Sequence, residues 1–251
     1  ATLVGNPLVT FIGQHADWRT AYLTIAAVEA IAFALLIFTV RPLAAETIGS
    51  PLDELGALRN PQVWFTLGVG AIGFGGVFAV ISYVAPALQA SAGISSIDVP
   101  VALFVFGAGM TIGNMVGGRA ADKGVLSTLL LAIAWCVITM LLYRALMETK
   151  PGCYVGVFLV GTNMVMVAPL QVRLMDVAGK AQTLAASLNH SALNLANALG
   201  PWLAGLAVDS HFGWGSTAIV GASLGLAGGI LLIASITHER RNAGRFAYAR
   251  R

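Results

Sequence analysis

The side chains best placed to do chemistry carry hydrogen-bonding groups rather than nucleophiles. Ser187, His190, Ser191, Asn194 and Asn197 recur at i, i+3, i+4, i+7 and i+10, which puts all five on one face of a helix of 3.6 residues per turn, ending near Pro201. Such a stripe can hydrogen-bond a solute or water, or it can join neighbouring helices through amide and hydroxyl bonds. His190 is the one titratable group on the stripe. Glu29 is the only acid well inside an apolar run, and an intramembrane carboxylate suggests either proton coupling or a protonated or paired structural acid. Asn163 and Gln171, eight residues apart and hence near one face of a helix, have Met164 and Met166 beside the first of them. Phe74, Phe78, Ser82 and Tyr83 mark a comparable face. Soft methionines and rings with a few amides suit an apolar solute that binds in several poses, or ordinary packing.

Bond-breaking chemistry finds little support. Gly221-Ala222-Ser223-Leu224-Gly225 spells the G-x-S-x-G of a hydrolase elbow, but Ser223 lies mid-run on a Gly/Ala ridge with no acid beside it and no strand before it. Cys136 and Cys153 lack metal-ligand spacing, and there is no phosphate-binding glycine loop. No enzyme activity, cofactor or metal is expected.

The elements that must position these groups are membrane helices. Of 251 residues, 57% are hydrophobic and 10% charged, whereas globular domains carry about 25% charge, so lipid must be the solvent for most of the chain. A helix needs roughly 20 apolar residues to cross the hydrocarbon core. Seven complete runs qualify: Thr20 to Val40, Val63 to Leu88, Val99 to Gly118, Val125 to Met147, Gly152 to Leu174, Leu184 to Val208 and Trp214 to Ile236. Ala1 to Gly13 reads as the end of a further helix. With the loops alternating, one side collects 11 of the 14 lysines and arginines, including the tail arginines, and the other collects 3. That asymmetry puts the C-terminus in the cytoplasm. The formal charge of +3 is too small to argue for a nucleic-acid partner.

A repeat links the two ends. Gly5-Asn6-Pro7 and Leu199-Gly200-Pro201 each precede, by 11 and 13 residues from the proline, a tryptophan that opens the next helix, Trp18 or Trp214. The copies lie six spans apart, the pattern of a transporter built from two parallel six-helix halves. The expected organisation is the end of an N-terminal half (1–40), a cytoplasmic connector (41–60), a six-helix C-terminal half (61–237) and a basic cytoplasmic tail (238–251). The chain is thus expected to be part of a larger protein whose N-terminal half is its partner.

Gly109 to Gly124 holds Gly118, Asp122, Lys123 and Gly124 between two helices. It resembles the cytoplasmic signature loop of the major facilitator superfamily, in the weaker form of the C-terminal half, with Gly124 one residue early and Val125 to Thr128 in place of the trailing basic cluster. Leu188 to Gly205, with Gln171 to Asp176 and Tyr83-Val84-Ala85-Pro86, resembles arabinose-efflux-permease-like and chloramphenicol-efflux-like drug:proton antiporters of that superfamily.

The resemblance implies an all-α polytopic protein of the bacterial inner membrane: the C-terminal half of a twelve-helix fold, plus the end of the N-terminal half. It implies alternating access and proton-coupled efflux of a small organic compound, with a sugar or other solute exporter, or a truncated non-transporting product, as the alternatives. The substrate-cavity candidates are Phe78, Tyr83, Asn163, Gln171, His190, Asn194 and Asn197. Glu29 and His190 are the proton-coupling candidates, although the family's sixth helix, which carries Glu29, is usually peripheral. Gly118, Asp122 and Lys123 form the conformational loop. Asp122 would face the N-terminus of the other half's fifth helix, where a carboxylate is stabilised. Gly109, Gly113 and Gly117 form a ridge for close helix packing.

Overall fold

The computed structural model describes residues 2–39 and 54–248, and these are helical with short connections. The expected connector therefore lies outside the described residues up to position 53, and so do Arg250 and Arg251 of the tail. The helices are α1 (Thr2–His15), α2 (Trp18–Thr39), α3 (Pro61–Ile81), α4 (Val84–Ala92), α5 (Val99–Ala121), α6 (Val125–Leu146), α7 (Lys150–Ala178), α8 (Gln182–Ala207) and α9 (Ser216–Tyr248).

Among the described residues, six helices are long and apolar enough to cross a membrane: α2, α3, α5, α6, α7 and α9. The run expected over Leu184 to Val208 is present as α8, whose 26 residues reach about 39 Å at 1.5 Å per residue. Its polar stripe makes it less apolar than the other six. The run expected over Val63 to Leu88 is interrupted, since α3 stops at Ile81 and α4 begins at Val84. The segment expected to be a basic tail starts as a continuation of α9, which remains helical to Tyr248.

Local chemistry sets the helix ends. Asn60 caps α3: its side-chain oxygen accepts from the Gln62 amide at 3.0 Å, Pro61 supplies the pre-set first turn, and the Asn60 amide donates to the Val177 carbonyl at 2.8 Å. One residue thus starts α3 and ties it to the end of α7. Asp17 accepts from the Thr20 amide at 2.6 Å to start α2, and these backbone and hydroxyl bonds hold its carboxyl below the usual range. Gly93 closes α4 with φ +62°, which favours glycine, and the Ile94 amide then reaches the Leu88 carbonyl at 3.3 Å.

Packing rests on two glycine seams. A Cβ at Gly109, Gly113 or Gly117 of α5 would meet the carbonyl oxygens of Phe158, Thr162 and Val165 of α7, and one at Gly161 would meet that of Phe106. The ridge expected from sequence is therefore a backbone-to-backbone contact. On the other side, Gly200 of α8 lies against the Gly75 carbonyl, while Gly76 and Gly73 of α3 face Gly221 and Gly228 of α9. Between the seams, Phe74, Leu88, Leu129, Met140, Tyr143, Met166 and Leu170 are fully buried. α1 packs on α5, and its Gln14 amide donates at 2.7 Å to the carbonyl of Ser96, in the turn that leads into α5. α2 packs on α1 and is otherwise exposed, with Ala21 its one buried residue among those described. The α1–α2 and α8–α9 pairs repeat one design: a helix containing a proline, Pro7 or Pro201, then a short connection carrying a tryptophan into the next helix.

Candidate functional site

α8 has two unlike faces. Ala185, Ala192, Ala196, Gly200 and Ala204 are buried, so small side chains bring the helix close to α3. Ser187, His190, Ser191, Asn194 and Asn197 are all exposed. The Ser187 and Ser191 hydroxyls turn back to the carbonyls of Thr183 and Ser187 at 3.0 and 3.1 Å, leaving their lone pairs outward. Among the described residues, the side chains of His190, Asn194 and Asn197 have no hydrogen-bond partner. The stripe thus does not join helices of this bundle to one another. Along it runs a groove of about 360 Å³ between α3 and α8, lined by Trp64, Leu67, Ala71, Leu188, Ser191 and Leu195.

Just past the Asn197 end of the stripe, Pro201 lacks an N–H, which frees the carbonyl of Asn197 one turn earlier. The Tyr83 hydroxyl donates to the Pro201 carbonyl oxygen at 3.1 Å and occupies the space a side chain at Gly205 would need. Its ring lies 6.4 Å from that of Trp214. Phe78, half-buried, packs edge-on against Phe74 at 5.5 Å. Tyr83 is therefore tied to α8 beyond the end of the stripe, at Pro201 and Gly205, while Phe78 belongs mostly to the core.

Asn163 and Gln171 are not brought together. Asn163 is 0% exposed; its amide donates to the Thr139 hydroxyl at 2.8 Å and the Val160 carbonyl at 3.0 Å, and its own oxygen has no partner among the described residues. It joins α7 to α6. Gln171 is exposed. The cause is a 3-10 segment, Thr162–Met166, inside α7. A 3-10 turn advances about 120° per residue against about 100° in an α-helix, so Gln171 swings roughly 60–80° further round than uniform spacing places it.

Glu29 sits exposed on α2, away from the α8 stripe, and His190 sits on that stripe. Gly118 has open space around its Cα, and Asp122 and Lys123 are exposed where α5 turns into α6. The Asp122 side chain makes no hydrogen bond or ion pair among the described residues. The Ser223 hydroxyl returns to the Ile219 carbonyl at 2.9 Å, and no cluster of three potential metal ligands occurs among the described residues.

A polar cluster that sequence reasoning passed over ties the Arg173 end of the bundle. Arg173, a buried residue of α7 rather than a loop cation, reaches Glu239 of α9 at 2.6 Å and Gln62 of α3 at 3.5 Å. Gln62 in turn donates to the Ser235 carbonyl at 3.0 Å and accepts from its hydroxyl at 2.5 Å. The sequence shows Arg173 at the end of one apolar run and Glu239 beyond the end of another, with no local pattern that pairs them.

Comparison with known proteins agrees with this architecture. The Major Facilitator Superfamily model matches residues 1–183. "Inner membrane transport protein YdhP" of Escherichia coli (strain K12) is 31% identical over 88% of this chain and 57% of its own length. "Putative transporter AraJ" of the same strain is 29% identical over 97% and 62%, and "Chloramphenicol resistance protein" of Streptomyces lividans is 31% identical over 89% and 60%. The chain spans about three-fifths of the length of these relatives. A bundle of apolar helices, closed by glycine seams and presenting an unpartnered amide face, together with these matches, makes the chain an all-α membrane protein of the major facilitator superfamily.

Proposed function

We propose that this chain supplies the C-terminal half, 61–237, and the end of the N-terminal half of a bacterial inner-membrane exporter. In this reading it moves a small organic compound by alternating access in exchange for protons. The observation that carries the reading is the exposed stripe of His190, Asn194 and Asn197 on α8. An amide without a partner is costly in hydrocarbon, so this face must meet water, a solute or another helical half. The distribution of the basic residues supports a cytoplasmic C-terminus.

The substrate contacts this reading assigns are Asn194, Asn197 and His190, with Tyr83 and Gln171 as further candidates. His190 is the better placed of the two proton-coupling candidates, because Glu29 stands on the peripheral α2. A drug-like substrate is favoured by likeness to the chloramphenicol resistance protein. A sugar or another solute is the alternative within the same mechanism.

The test is transport by the full-length protein in inverted membrane vesicles, with an imposed pH gradient and a panel of amphipathic drugs and sugars. Gradient-dependent uptake that falls at least tenfold in Asn194→Leu/Asn197→Leu, at matched protein levels, supports the proposal. Transport unchanged in that variant removes the stripe from the substrate path, and transport indifferent to the gradient removes the proton.

A further inference from the structure

α5 and α6 meet at their connecting turn and splay apart along their length, leaving an outward-facing groove of about 520 Å³ floored by Thr162 and Val165 of α7. Its walls are Ile112, Val116 and Ala120 on one side and Leu131, Trp135 and Ile138 on the other. The few polar groups in it are already engaged. The Thr128 hydroxyl lies 2.9 and 2.7 Å from the carbonyls of Ala120 and Gly124, and the Trp135 indole donates to the Thr162 hydroxyl at 2.8 Å, which itself reaches the Leu159 carbonyl at 2.6 Å. A guest inside the groove is therefore offered dispersion and hydrocarbon contact, with no free donor or acceptor among these groups.

Length and charge specify the guest further. From Thr128 to Ile138 the groove follows ten residues of α6, about 15 Å at 1.5 Å per residue, which is half of the roughly 30 Å hydrocarbon core. It opens at the α5–α6 turn, where Arg119 and Lys123 are exposed beside Asp122, leaving a surplus of one positive charge. Arg119 is folded back along α5 toward the Met115 carbonyl at 3.4 Å, next to the groove wall. A slot one leaflet deep, dry along its walls and cationic at its mouth, matches an amphiphile with one acyl chain in the slot and an anionic group above it.

We infer that this groove is a binding site for a single anionic phospholipid. One acyl chain lies between α5 and α6 against Trp135, and the headgroup phosphate lies at Arg119 and Lys123. The site is separate from the α8 stripe and does not depend on the transported compound.

The test is lipid retention by the full-length protein in nanodiscs of mixed dioleoylphosphatidylglycerol and dioleoylphosphatidylcholine, followed by detergent release and native mass spectrometry. The expected result is one retained phosphatidylglycerol, preferred about fivefold over phosphatidylcholine for the one surplus charge near the membrane surface. Ala134→Trp, an exposed position on the groove wall, should abolish retention of both lipids. Arg119→Gln/Lys123→Gln, both at exposed positions, should remove the preference and keep the chain-dependent binding. Equal retention in the wild type and Ala134→Trp overturns the site. Retention lost in Ala134→Trp but indifferent to headgroup throughout overturns the anionic lipid and leaves a slot for an uncharged hydrocarbon guest.

Discussion

The Tyr83 hydroxyl donates to the Pro201 carbonyl oxygen at 3.1 Å, and this bond joins the break between α3 and α4 to the proline of α8. Tyr83→Phe keeps the ring beside Trp214 and removes only the bond. The expected loss is about 0.5–1.5 kcal/mol, read as a lower thermal midpoint in detergent. Tyr83→Ala should cost more, because it also empties the space over Gly205.

Two asparagines of the same type should behave oppositely. Asn163→Leu loses the bond to Thr139 inside the α6–α7 contact and should lower stability by on the order of 1 kcal/mol, with transport per folded molecule unchanged. Asn194→Leu, on the exposed face of α8, should leave the thermal midpoint within about 0.5 kcal/mol and reduce transport. Paired unfolding and vesicle-uptake measurements on both variants check the contrast.

Gly113→Ala drives a Cβ into the Thr162 backbone, so α5 and α7 must separate. The expected cost is about 1–3 kcal/mol, seen as reduced expression and a lower thermal midpoint. Gly118→Ala, five residues on but facing open space, should be neutral or should stabilise by up to about 1 kcal/mol through helix propensity. If both cost the same, close packing is not what requires glycine at 113.

Glu239→Ala leaves Arg173 facing only Gln62 in a largely buried setting. With the Arg173 side chain 10% exposed and that of Glu239 47% exposed, the expected loss is about 1–2 kcal/mol. Glu239→Gln should recover part of it by restoring an acceptor. Thermal unfolding of the three proteins in one detergent tests the order.

Asp122→Asn removes the charge at the α5–α6 turn and leaves its size. In the full-length protein it should slow transport several-fold, with equilibrium substrate binding retained. Uptake rates and binding isotherms at matched protein levels separate the two. Unchanged uptake would take Asp122 out of the conformational cycle.

Helix positions were legible because apolar run length is a direct consequence of bilayer thickness, and the glycine ridge was legible because 109, 113 and 117 share a face at helical spacing. The stripe on α8 was legible as a stripe, but its periodicity is the same whether it faces a helix or water. The packing of Ala192, Ala196 and Gly200 on the opposite face shows that the stripe turns away from the described helices. The pairing of Asn163 with Gln171 failed because spacing arguments assume one helical pitch, and the 3-10 segment at Thr162–Met166 changes it. The Arg173–Glu239–Gln62 cluster draws on three helices far apart in the chain, and no local pattern marks such a meeting.

The glycine seams constrain how such a bundle can move. Where Gly113 abuts the Thr162 backbone and Gly200 the Gly75 carbonyl, no side chains intervene to change rotamer and absorb a slide, and a one-turn slip would have to lift one main chain over another. α5 with α7, and α3 with α8 and α9, are therefore geared to shift as rigid blocks. Displacement of these blocks against anything else falls on surfaces without seams, and the amide face of α8 is one of them.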